Sequence, residues 1–302
     1  MQSVPLISES PLSEVNVTRW RDGIVSQVSD KVAEEVPIAL IYNGVSHAVM
    51  LATPQDLEDF ALGFSLAEGI LQNKSELYDI EIVTQPQGIE LRLDVATEAF
   101  VKLKERRRNL VGRTGCGLCG AESLQQALRL PELLPEKTFD LNENTPSSSY
   151  AASQAASQAA SQSASKAVTT IQAASILAAF ANLQSKQVLQ QATGATHACA
   201  WVDAEGDVQV LREDVGRHNA MDKLMGALAK EPPHSNGFVL TSSRASVEMV
   251  QKVAIAGYGI LAAISAPTGL AVRIAEDYGV TLVGFLRDNQ FVIYANSQRI
   301  KP

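Results

Sequence analysis

Residues 237–265 read GFVLTSSRASVEMVQKVAIAGYGILAAIS, and this stretch decides the fold class. It contains an apolar strand pattern, a helical pattern and a second apolar strand pattern. Strands that alternate with helices of this length predict a mainly parallel sheet covered by helices on both faces. The strand segments are almost purely apolar, as burial on both faces requires.

The same alternation extends to both sides of this stretch. Upstream lie a helical segment, IQAASILAAFANLQSKQVLQQ, two strands, HACAWVD and VQVLRE, joined by a turn at residues 204–207, and the helix RHNAMDKLMGALAK. Downstream follow the helix PTGLAVRIAEDYG and the strands VTLVGFL and FVIYA. We therefore predict an α/β domain over residues 168–302.

The first part of the chain predicts a smaller α+β domain over residues 1–110. Two apolar runs flank Asn43-Gly44, a pair that suits the positive φ angles of a type I′ turn, so a β-hairpin is expected there. In TPQDLEDFALGFSLAEGIL, Thr53 is expected to cap a helix and Pro54 to occupy its first position. GIELRLD and AFVKLK both alternate with period two and predict two further strands.

Two segments connect these domains. Residues 111–146 are predicted to form a mobile loop with a Cys-x-x-Cys pair and a short helix. Residues 147–167 are a low-complexity Ala/Ser/Gln linker in which the unit AASQ is repeated. Because this linker has no large apolar residues it cannot bury a core, and we assign it no chemistry.

Composition excludes several classes of protein. The chain has 302 residues, a formal charge of −8 and three cysteines. The acidic balance argues against a general nucleic-acid binder, and three cysteines form no disulfide framework. The N-terminus lacks the features of a signal peptide. Residues 253–272 are uncharged over the length of a membrane span, but glycines and Pro267 divide them into helix, strand and helix. We expect a cytoplasmic protein that does not span a membrane.

Polar residues gather where the predicted strands end. They form DVGRH (residues 214–218), TSSRAS (241–246), SAPTG (265–269) and FLRDNQ (285–290), the last of which is predicted to be a turn. In an open α/β sheet, ligands bind outside the carboxyl ends of the strands, where helix N-termini point free N–H groups outward. We call the edge formed by these four segments the ligand edge.

Helix capping explains some of these residues without any ligand. The residue types that cap helices are Asp214, Ser242 or Ser243, and Thr268. Capping does not explain the cationic side chains nearby, which are Arg217, His218, Arg244 and Arg287. Cations beside helix N-termini are unfavourable unless an anion lies between them. We therefore predict that a phosphate-bearing ligand binds at the ligand edge.

The strand HACAWVD contains two residues of chemical interest. His197 begins the strand, and it could face the ligand edge or be a hydrogen-bonded core residue. Both readings stay open. Cys199 lies inside the strand and is expected to be buried as a small hydrophobic residue.

The stretch GRTGCGLCG, residues 112–120, holds Cys116 and Cys119. Such a pair can be half of a zinc site, but no second pair or His-x3-5-His completes four ligands within one chain, so a zinc site would need ligands from two chains. A thioredoxin-like disulfide would need the pair to start a helix directly after a strand, and AESLQQALRL could be that helix. The third reading is a carrier thiol on a mobile loop, because glycines leave the backbone few steric restraints.

Basic residues precede the cysteines in VKLKERRRNLVGR, residues 101–113. Six lysines and arginines less Glu105 give a net charge of +5 on an otherwise acidic chain. Such a field lowers the pKa of a thiol, favours the thiolate that attacks sulfur, and attracts anions. A solvated basic loop is the alternative explanation of this run.

Several long motifs, in the same order, resemble the formate dehydrogenase accessory sulfurtransferases. They are LKERRRNLVGRTGCGLCG, REDVGRHNAMDKL, TSSRASVEMVQK and VTLVGFL, with EEVPIALIYNGVSHAVMLATPQDLEDFALGFSLAEGI in the first domain. The resemblance covers nearly the whole chain except the extreme N-terminus and the Ala/Ser/Gln linker. It implies a cytoplasmic homodimer whose C-terminal domain has a three-layer, cytidine-deaminase-like fold.

The resemblance also implies a chemistry. Members of this family take sulfur from a cysteine desulfurase as a persulfide and pass it to the molybdenum of the bis(molybdopterin guanine dinucleotide) cofactor, which formate dehydrogenase needs in sulfurated form. Cys116 matches the persulfide cysteine and Cys119 its partner. The family's cofactor-binding stretch matches Phe285, Leu286, Arg287, Asp288, Asn289 and Gln290. The further candidate cofactor-binding residues are His197, Arg217, His218, Ser242, Ser243 and Arg244. No metal-binding residue is assigned.

Two other functions stay open beside sulfur transfer. A chaperone would shield the cofactor and leave sulfur delivery to another protein. A zinc deaminase would need His-x-Glu followed by Pro-Cys-x-x-Cys. Here Ala198 and Cys199 follow His197, and the Cys-x-x-Cys pair precedes this strand, so the deaminase is disfavoured.

Overall fold

The computed structural model describes residues 8–108, 170–232, 234 and 236–302. Its N-terminal part contains β1 (Leu12–Arg21), β2 (Ile24–Ala33), β3 (Val36–Tyr42), β4 (Val45–Ala52), α1 (Leu57–Ala67), a 3₁₀ helix (Lys74–Glu76), β5 (Leu77–Gln85), β6 (Gly88–Val95) and α2 (Thr97–Arg108). One sheet has the order β4-β3-β6-β5, and β1 pairs with β2 as a separate hairpin. The boundaries predicted near residues 110, 146 and 167 lie outside the described residues.

Residues 36–67 confirm the predicted hairpin but not the predicted start of the helix that follows it. The hairpin at Asn43-Gly44 is confirmed, because β3 and β4 are antiparallel and φ is 44° at Asn43 and 79° at Gly44. The predicted cap at Thr53 and first position at Pro54 are wrong, because α1 begins at Leu57 after Asp56, which has a left-handed φ of 53°. The N–H of Thr53 instead donates to the side chain of Asp214, 161 positions later in the chain.

The segment AFVKLK is not the strand that its alternation predicted, because it lies within helix α2. Ala99 and Leu103 are four residues apart and both buried, whereas Val101 between them is exposed. A helix places residues i and i+4 on one face, so a short alternation of apolar and polar residues also fits a single helical turn.

The C-terminal part contains β7 (Ile171–Gln172), α3 (Ala173–Lys186), α4 (Val188–Thr193), β8 (His197–Asp203), β9 (Val208–Asp214), α5 (Arg217–Lys230), β10 (Gly237–Thr241), α6 (Val247–Ile255), β11 (Ile260–Ala263), α7 (Gly269–Asp277), β12 (Thr281–Arg287), β13 (Gln290–Ala295), a 3₁₀ helix (Ser297–Arg299) and β14 (Ile300–Lys301). Strands β8 to β13 form one sheet in the order β13-β12-β11-β10-β8-β9. The alternation of helices and strands predicted from sequence is confirmed.

This sheet is mixed, so the predicted mainly parallel arrangement is wrong. The pairs β10–β11 and β11–β12 are parallel, whereas β8–β9, β8–β10 and β12–β13 are antiparallel. Two antiparallel pairs are hairpins, and a chain that reverses through a short turn pairs antiparallel with itself. Only the strands linked by the helices α6 and α7 must run in the same direction.

Helices cover both faces of the sheet, as the apolar strands predicted. In β11, Leu261 and Ala263 belong to the core formed with α5, α6 and α7, and Ile260 and Ala262 belong to the core formed with α3. Residues 253–272 comprise the end of α6, β11 and the start of α7, which confirms that this apolar run is divided. Within the described ranges, no helix is long and apolar enough to cross a membrane.

Helices α1 and α5 cross at two glycines, and this crossing joins the N-terminal and C-terminal parts. A Cβ atom on Gly63 would lie 1.7 Å from the carbonyl oxygen of Asp222, and one on Gly226 would lie 1.9 Å from that of Asp59. Any side chain at either position would therefore overlap the backbone of the opposite helix. Glycine permits this close approach because it has no Cβ.

We expect Gly226→Ala to lower the free energy of unfolding by about 3 kcal/mol, because the added methyl group forces α1 and α5 apart. Urea unfolding of the full chain measures this change. Gly269→Ala is the matched control, since the nearest atom to a Cβ there is Arg273 Nη1 at 3.7 Å, an ordinary contact. The control should be as stable as the unmodified protein, and equal losses in both variants would contradict the crossing.

Candidate functional site

A buried ion pair organises the junction between β9 and α5. Asp214 Oδ2 and Lys223 Nζ are 2.7 Å apart, and neither side chain has any solvent exposure. Oδ2 also accepts the N–H of Thr53 at 3.0 Å, and Oδ1 accepts the Gly216 N–H at 2.8 Å and the Asn219 side-chain amide at 3.0 Å. Lys223 Nζ donates to the Thr53 carbonyl at 2.9 Å. The pair thus joins the ends of β4 and β9 to the first turns of α5.

Other charged residues of this motif also have structural partners. Arg212 Nη2 lies 2.7 Å from Asp59 Oδ2 of α1. Glu213 accepts two backbone N–H groups of α4, both at 2.9 Å. Asp222 forms an ion pair with Lys252 of α6. Most charges of REDVGRHNAMDKL therefore hold the fold together, and Arg217 and His218 are the ones that remain for a ligand.

Helices α5 and α6 both begin at the ligand edge without a side-chain cap. Gly216 precedes α5 and Ser246 precedes α6. The buried Oγ of Ser246 has no hydrogen-bond partner in the described part of the chain. Thr268 does cap α7, through the N–H of Ala271 at 3.3 Å, as predicted. The other expected caps, Asp214, Ser242 and Ser243, cap no helix. Two uncapped helix N-termini present positive dipole ends to the ligand edge.

The serines after β10 form hydrogen bonds with nearby backbone groups. Ser242 Oγ accepts the N–H of Ala198 at 2.8 Å. Ser243 is buried, and its Oγ donates to the carbonyl of Arg244 at 2.9 Å. Arg244 itself is exposed. Of these three predicted site residues, Arg244 is the one whose side chain is open to solvent.

Residue Phe285 marks the end of the regular pairing between β12 and β13. Its φ is 51°, a strained conformation for an aromatic residue, and its side chain is 41% exposed. The N–H of Phe285 donates to the carbonyl of Ser265 at 3.2 Å, which joins this bend to the loop after β11. The ring lies 6.5 Å from that of Tyr294.

The rest of the predicted cofactor-binding stretch is a turn only in part, because Asp288 and Asn289 alone connect β12 and β13. Leu286 and Arg287 end β12, and Gln290 begins β13. Leu286 is buried. Arg287 Nη1 donates to the carbonyls of Ile264 and Leu286, so this cation is partly engaged with the backbone. The remaining members, Asp288, Asn289 and Gln290, are exposed.

The side chains of His197, Arg217 and His218 come together at the ligand edge. Burial lowers the pKa of His197, and the charges of Arg217 and His218 lower it further. The buried Nε of Arg217 has no hydrogen-bond partner among the residues that the structure describes. The His218 Nε2 lies against Oε2 of Glu248 in α6. Of the two readings of His197, the structure favours the one in which it borders this edge.

Glu248 is a residue of this cluster that the sequence did not single out. The His218 imidazole lowers the pKa of Glu248, and the charges of Lys252 and Arg217 act in the same direction. In the sequence, Glu248 looks like an acidic residue that offsets the dipole in the first turn of a helix. No sequence signal connects it with His218, which lies on another helix.

This arrangement is suited to binding an anion. It offers a buried guanidinium nitrogen, a buried hydroxyl and two uncapped helix N-termini, and phosphate groups accept hydrogen bonds from all three. Within the described ranges, no group of three or more His, Cys, Asp or Glu side chains could hold a metal ion. Cys116 and Cys119 lie outside the described residues.

Cys199 lies away from this chemistry, in the core of the sheet. It is fully buried, and its Sγ is 3.5 Å from Thr241 Oγ1. Burial raises the pKa of its thiol to about 12. The prediction that Cys199 is a small hydrophobic residue is confirmed.

The fold and the ligand edge define a mixed α/β protein with a cationic site beside the ends of its strands. Comparison with protein families then identifies the group to which it belongs. The family model described as the FdhD/NarQ family matches residues 33–165 and 136–301. The chain belongs to the FdhD/NarQ family.

Curated relatives and a solved structure agree with this membership. Proteins named "Sulfur carrier protein FdhD" from Cupriavidus necator and Bordetella petrii are 54% and 46% identical, over 94% and 98% of this chain and 88% and 97% of the relatives. A crystal structure described as a candidate formate dehydrogenase accessory protein, from Desulfotalea psychrophila, has a TM-score of 0.69 at 22% identity. It covers 96% of this chain and 100% of that chain, and it supports the fold.

We expect Lys223→Met to lower the free energy of unfolding by about 3–5 kcal/mol, because it leaves the Asp214 carboxylate buried without its cation. Urea unfolding measures the change. Lys102→Met is the control, since Lys102 and Glu98 form an exposed pair at 2.8 Å on α2 and should contribute little. A loss for Lys223→Met no larger than that of the control would contradict the structural role of the buried pair.

We expect Cys199 to resist thiol reagents in the folded protein, because a thiol with a pKa near 12 is protonated and shielded at neutral pH. A variant with Cys116→Ala and Cys119→Ala isolates this thiol for titration with a disulfide reagent. The folded variant should not react, and the same variant unfolded in guanidinium should react fully. Rapid reaction of the folded variant would place Cys199 in an accessible site.

Proposed function

We propose that this protein is a cytoplasmic sulfur carrier that serves formate dehydrogenase. It accepts sulfur from a cysteine desulfurase as a persulfide on Cys116 and delivers it to the molybdenum of the bis(molybdopterin guanine dinucleotide) cofactor, working as a homodimer. The names of the relatives, together with the motif GRTGCGLCG, support the carrier role. Phe285 to Gln290 and the cationic cluster are the proposed binding region for the cofactor.

The observation that carries the cofactor-binding part of this proposal is the buried Arg217 Nε, which has no hydrogen-bond partner in the described part of the chain. A buried donor without a partner costs free energy, so it is expected where a ligand supplies the acceptor. The phosphates of a guanine dinucleotide are such acceptors. The exposed Phe285 and His197, whose pKa is lowered by burial, border the same edge and are the proposed contacts for the rest of the ligand.

The first step of the proposed reaction is a thiol exchange. The Cys116 thiolate attacks the terminal sulfur of the desulfurase persulfide, one S–S bond forms as another breaks, and the desulfurase thiolate leaves. Arginines 106–108 and 113 favour the thiolate of Cys116 electrostatically. No net oxidation or reduction occurs, so no additional reagent is required.

The second step releases the sulfur. The Cys119 thiolate attacks Sγ of Cys116, a disulfide forms, and the terminal sulfur leaves as sulfide after gaining the two electrons that the cysteines lose. The cofactor is the acceptor substrate of this step. Exchange of the sulfide for an oxygen ligand of its molybdenum, with two protons from solvent, would release that oxygen as water. Reduction of the Cys116–Cys119 disulfide by a cellular dithiol completes the cycle.

A chaperone that binds the cofactor without carrying sulfur is the second candidate. The site residues that favour it include Arg217 and His218 of α5 and His197 of β8, and none of these depends on either cysteine. The two functions differ in one outcome: a chaperone keeps its function when Cys116 is replaced, whereas a carrier loses it.

We expect incubation with a cysteine desulfurase and cysteine to increase the mass of this protein by one sulfur atom on Cys116. In Cys116→Ala this increase should disappear, and formate dehydrogenase produced with this variant should be inactive. Mass spectrometry of the peptides locates the added sulfur. Cys199→Ala is the control and should accept sulfur normally. Normal maturation with Cys116→Ala, without any persulfide on the unmodified protein, would leave the chaperone as the function.

A further inference from the structure

The cations of the ligand edge already have a carboxylate among them. Glu248 stands in the first turn of α6, and its Oε2 lies against Nε2 of His218 in the first turn of α5. The charge of Arg217 also acts on this carboxylate. Arg217 lies beside a helix N-terminus, where positive charge is unfavourable, and Glu248 offsets both that charge and the dipole of α6.

A second ion pair holds Glu248 in this position. Asp222 and Lys252 pair one helical turn further along α5 and α6, and both side chains are nearly inaccessible to solvent. His218 and Asp222 are four residues apart on α5, and Glu248 and Lys252 are four residues apart on α6. Residues with this spacing share a helix face, so the two pairs are stacked between the same two helices. The buried pair therefore joins α5 and α6 one turn away from the contact between His218 and Glu248.

The ligand edge therefore already holds a carboxylate, which is in contact with His218. A phosphate that binds near Arg217 and His218 would also approach the Glu248 carboxylate. Two negative charges repel each other, and the repulsion is stronger where little water screens them. We propose that Glu248 is a resident counter-anion of the ligand edge, which a phosphate-bearing ligand must displace from His218, and which limits how tightly that ligand is held. This inference rests on the proposed function and names the residue that sets release of the cofactor.

Such a limit suits a carrier. A protein that binds the cofactor only to transfer sulfur to it must release it afterwards, and dissociation slows as affinity rises. With Glu248 present, release of the ligand is assisted by the return of the carboxylate to His218. The Glu248 carboxylate thus contacts His218 whenever no phosphate is bound.

The test is isothermal titration of the full-length protein with inorganic pyrophosphate at low salt, where charge interactions are least screened. We expect Glu248→Gln to bind pyrophosphate about tenfold more tightly than the unmodified protein, because a competing negative charge is removed. The difference should shrink at high salt. Glu276→Gln changes net charge equally at an exposed position near the end of α7 and should leave affinity unchanged.

Equal or weaker binding by a folded Glu248→Gln variant would overturn the proposal, as would failure of both proteins to bind. A merely structural role of Glu248 predicts weaker binding, so the sign of the change distinguishes the two. Glu248→Ala is the second variant and should act in the same direction. If neither variant folds, the NMR signals of His218 in the unmodified protein decide, since they must shift when pyrophosphate displaces the carboxylate.

The same measurement separates this inference from the proposed function. Pyrophosphate binding needs no cysteine, so Cys116→Ala should bind it as the unmodified protein does. A chain that carries no persulfide yet shows the Glu248 effect would disprove sulfur transfer and retain the counter-anion. A chain that carries a persulfide without the Glu248 effect would do the reverse.

Discussion

The arrangement of this protein depends on the buried ion pair between Asp214 and Lys223. If either partner were removed, the other charge would be buried without a counter-ion, which generally costs a protein about 3–5 kcal/mol of stability. The remaining capacity of both groups is used by the Thr53 backbone, the Gly216 N–H and the Asn219 amide. The pair therefore fixes the end of β4, the end of β9 and the beginning of α5 relative to one another. The N-terminal sheet thus helps determine where the first turn of α5 lies.

That first turn carries the chemistry. Gly63 and Gly226 bring α1 and α5 into backbone contact, so α5 is held along its length by the N-terminal part. On its other side α5 faces α6 through two ion pairs, one buried and one at the ligand edge. Arg217 and His218 are thus positioned by the contacts of α5 with α1 and α6. A rigid support of this kind lets a site keep a buried donor unpaired, because the surrounding structure prevents the donor from rearranging.

The sequence predicted local features well where neighbouring residues decide them. The turn at Asn43-Gly44, the cap at Thr268 and the burial of Cys199 all follow from residues close in the chain or from side-chain type. AFVKLK failed because six residues fit a strand and a helical turn equally, and only burial of Ala99 and Leu103 together decides between them. Thr53 failed as a helix cap because its hydroxyl accepts the N–H of Val215, 162 positions away. Asp214 failed because its carboxylate is used by Lys223, the Gly216 N–H, the Asn219 amide and the Thr53 N–H. The role of Glu248 could not be predicted, since its partner stands on another helix.

By itself the sequence determined the alternation of helices and strands, the family, and the cysteine pair that the proposed chemistry needs. These depend on periodicity and on motifs that are contiguous in the chain. The tertiary structure alone decided that the sheet is mixed, that most charges of REDVGRHNAMDKL are structural, and that Arg217, His218, His197 and Glu248 form one cluster. The physical reason is that a charge acts on whatever lies within a few ångströms, and residues on separate helices become neighbours only when the helices pack.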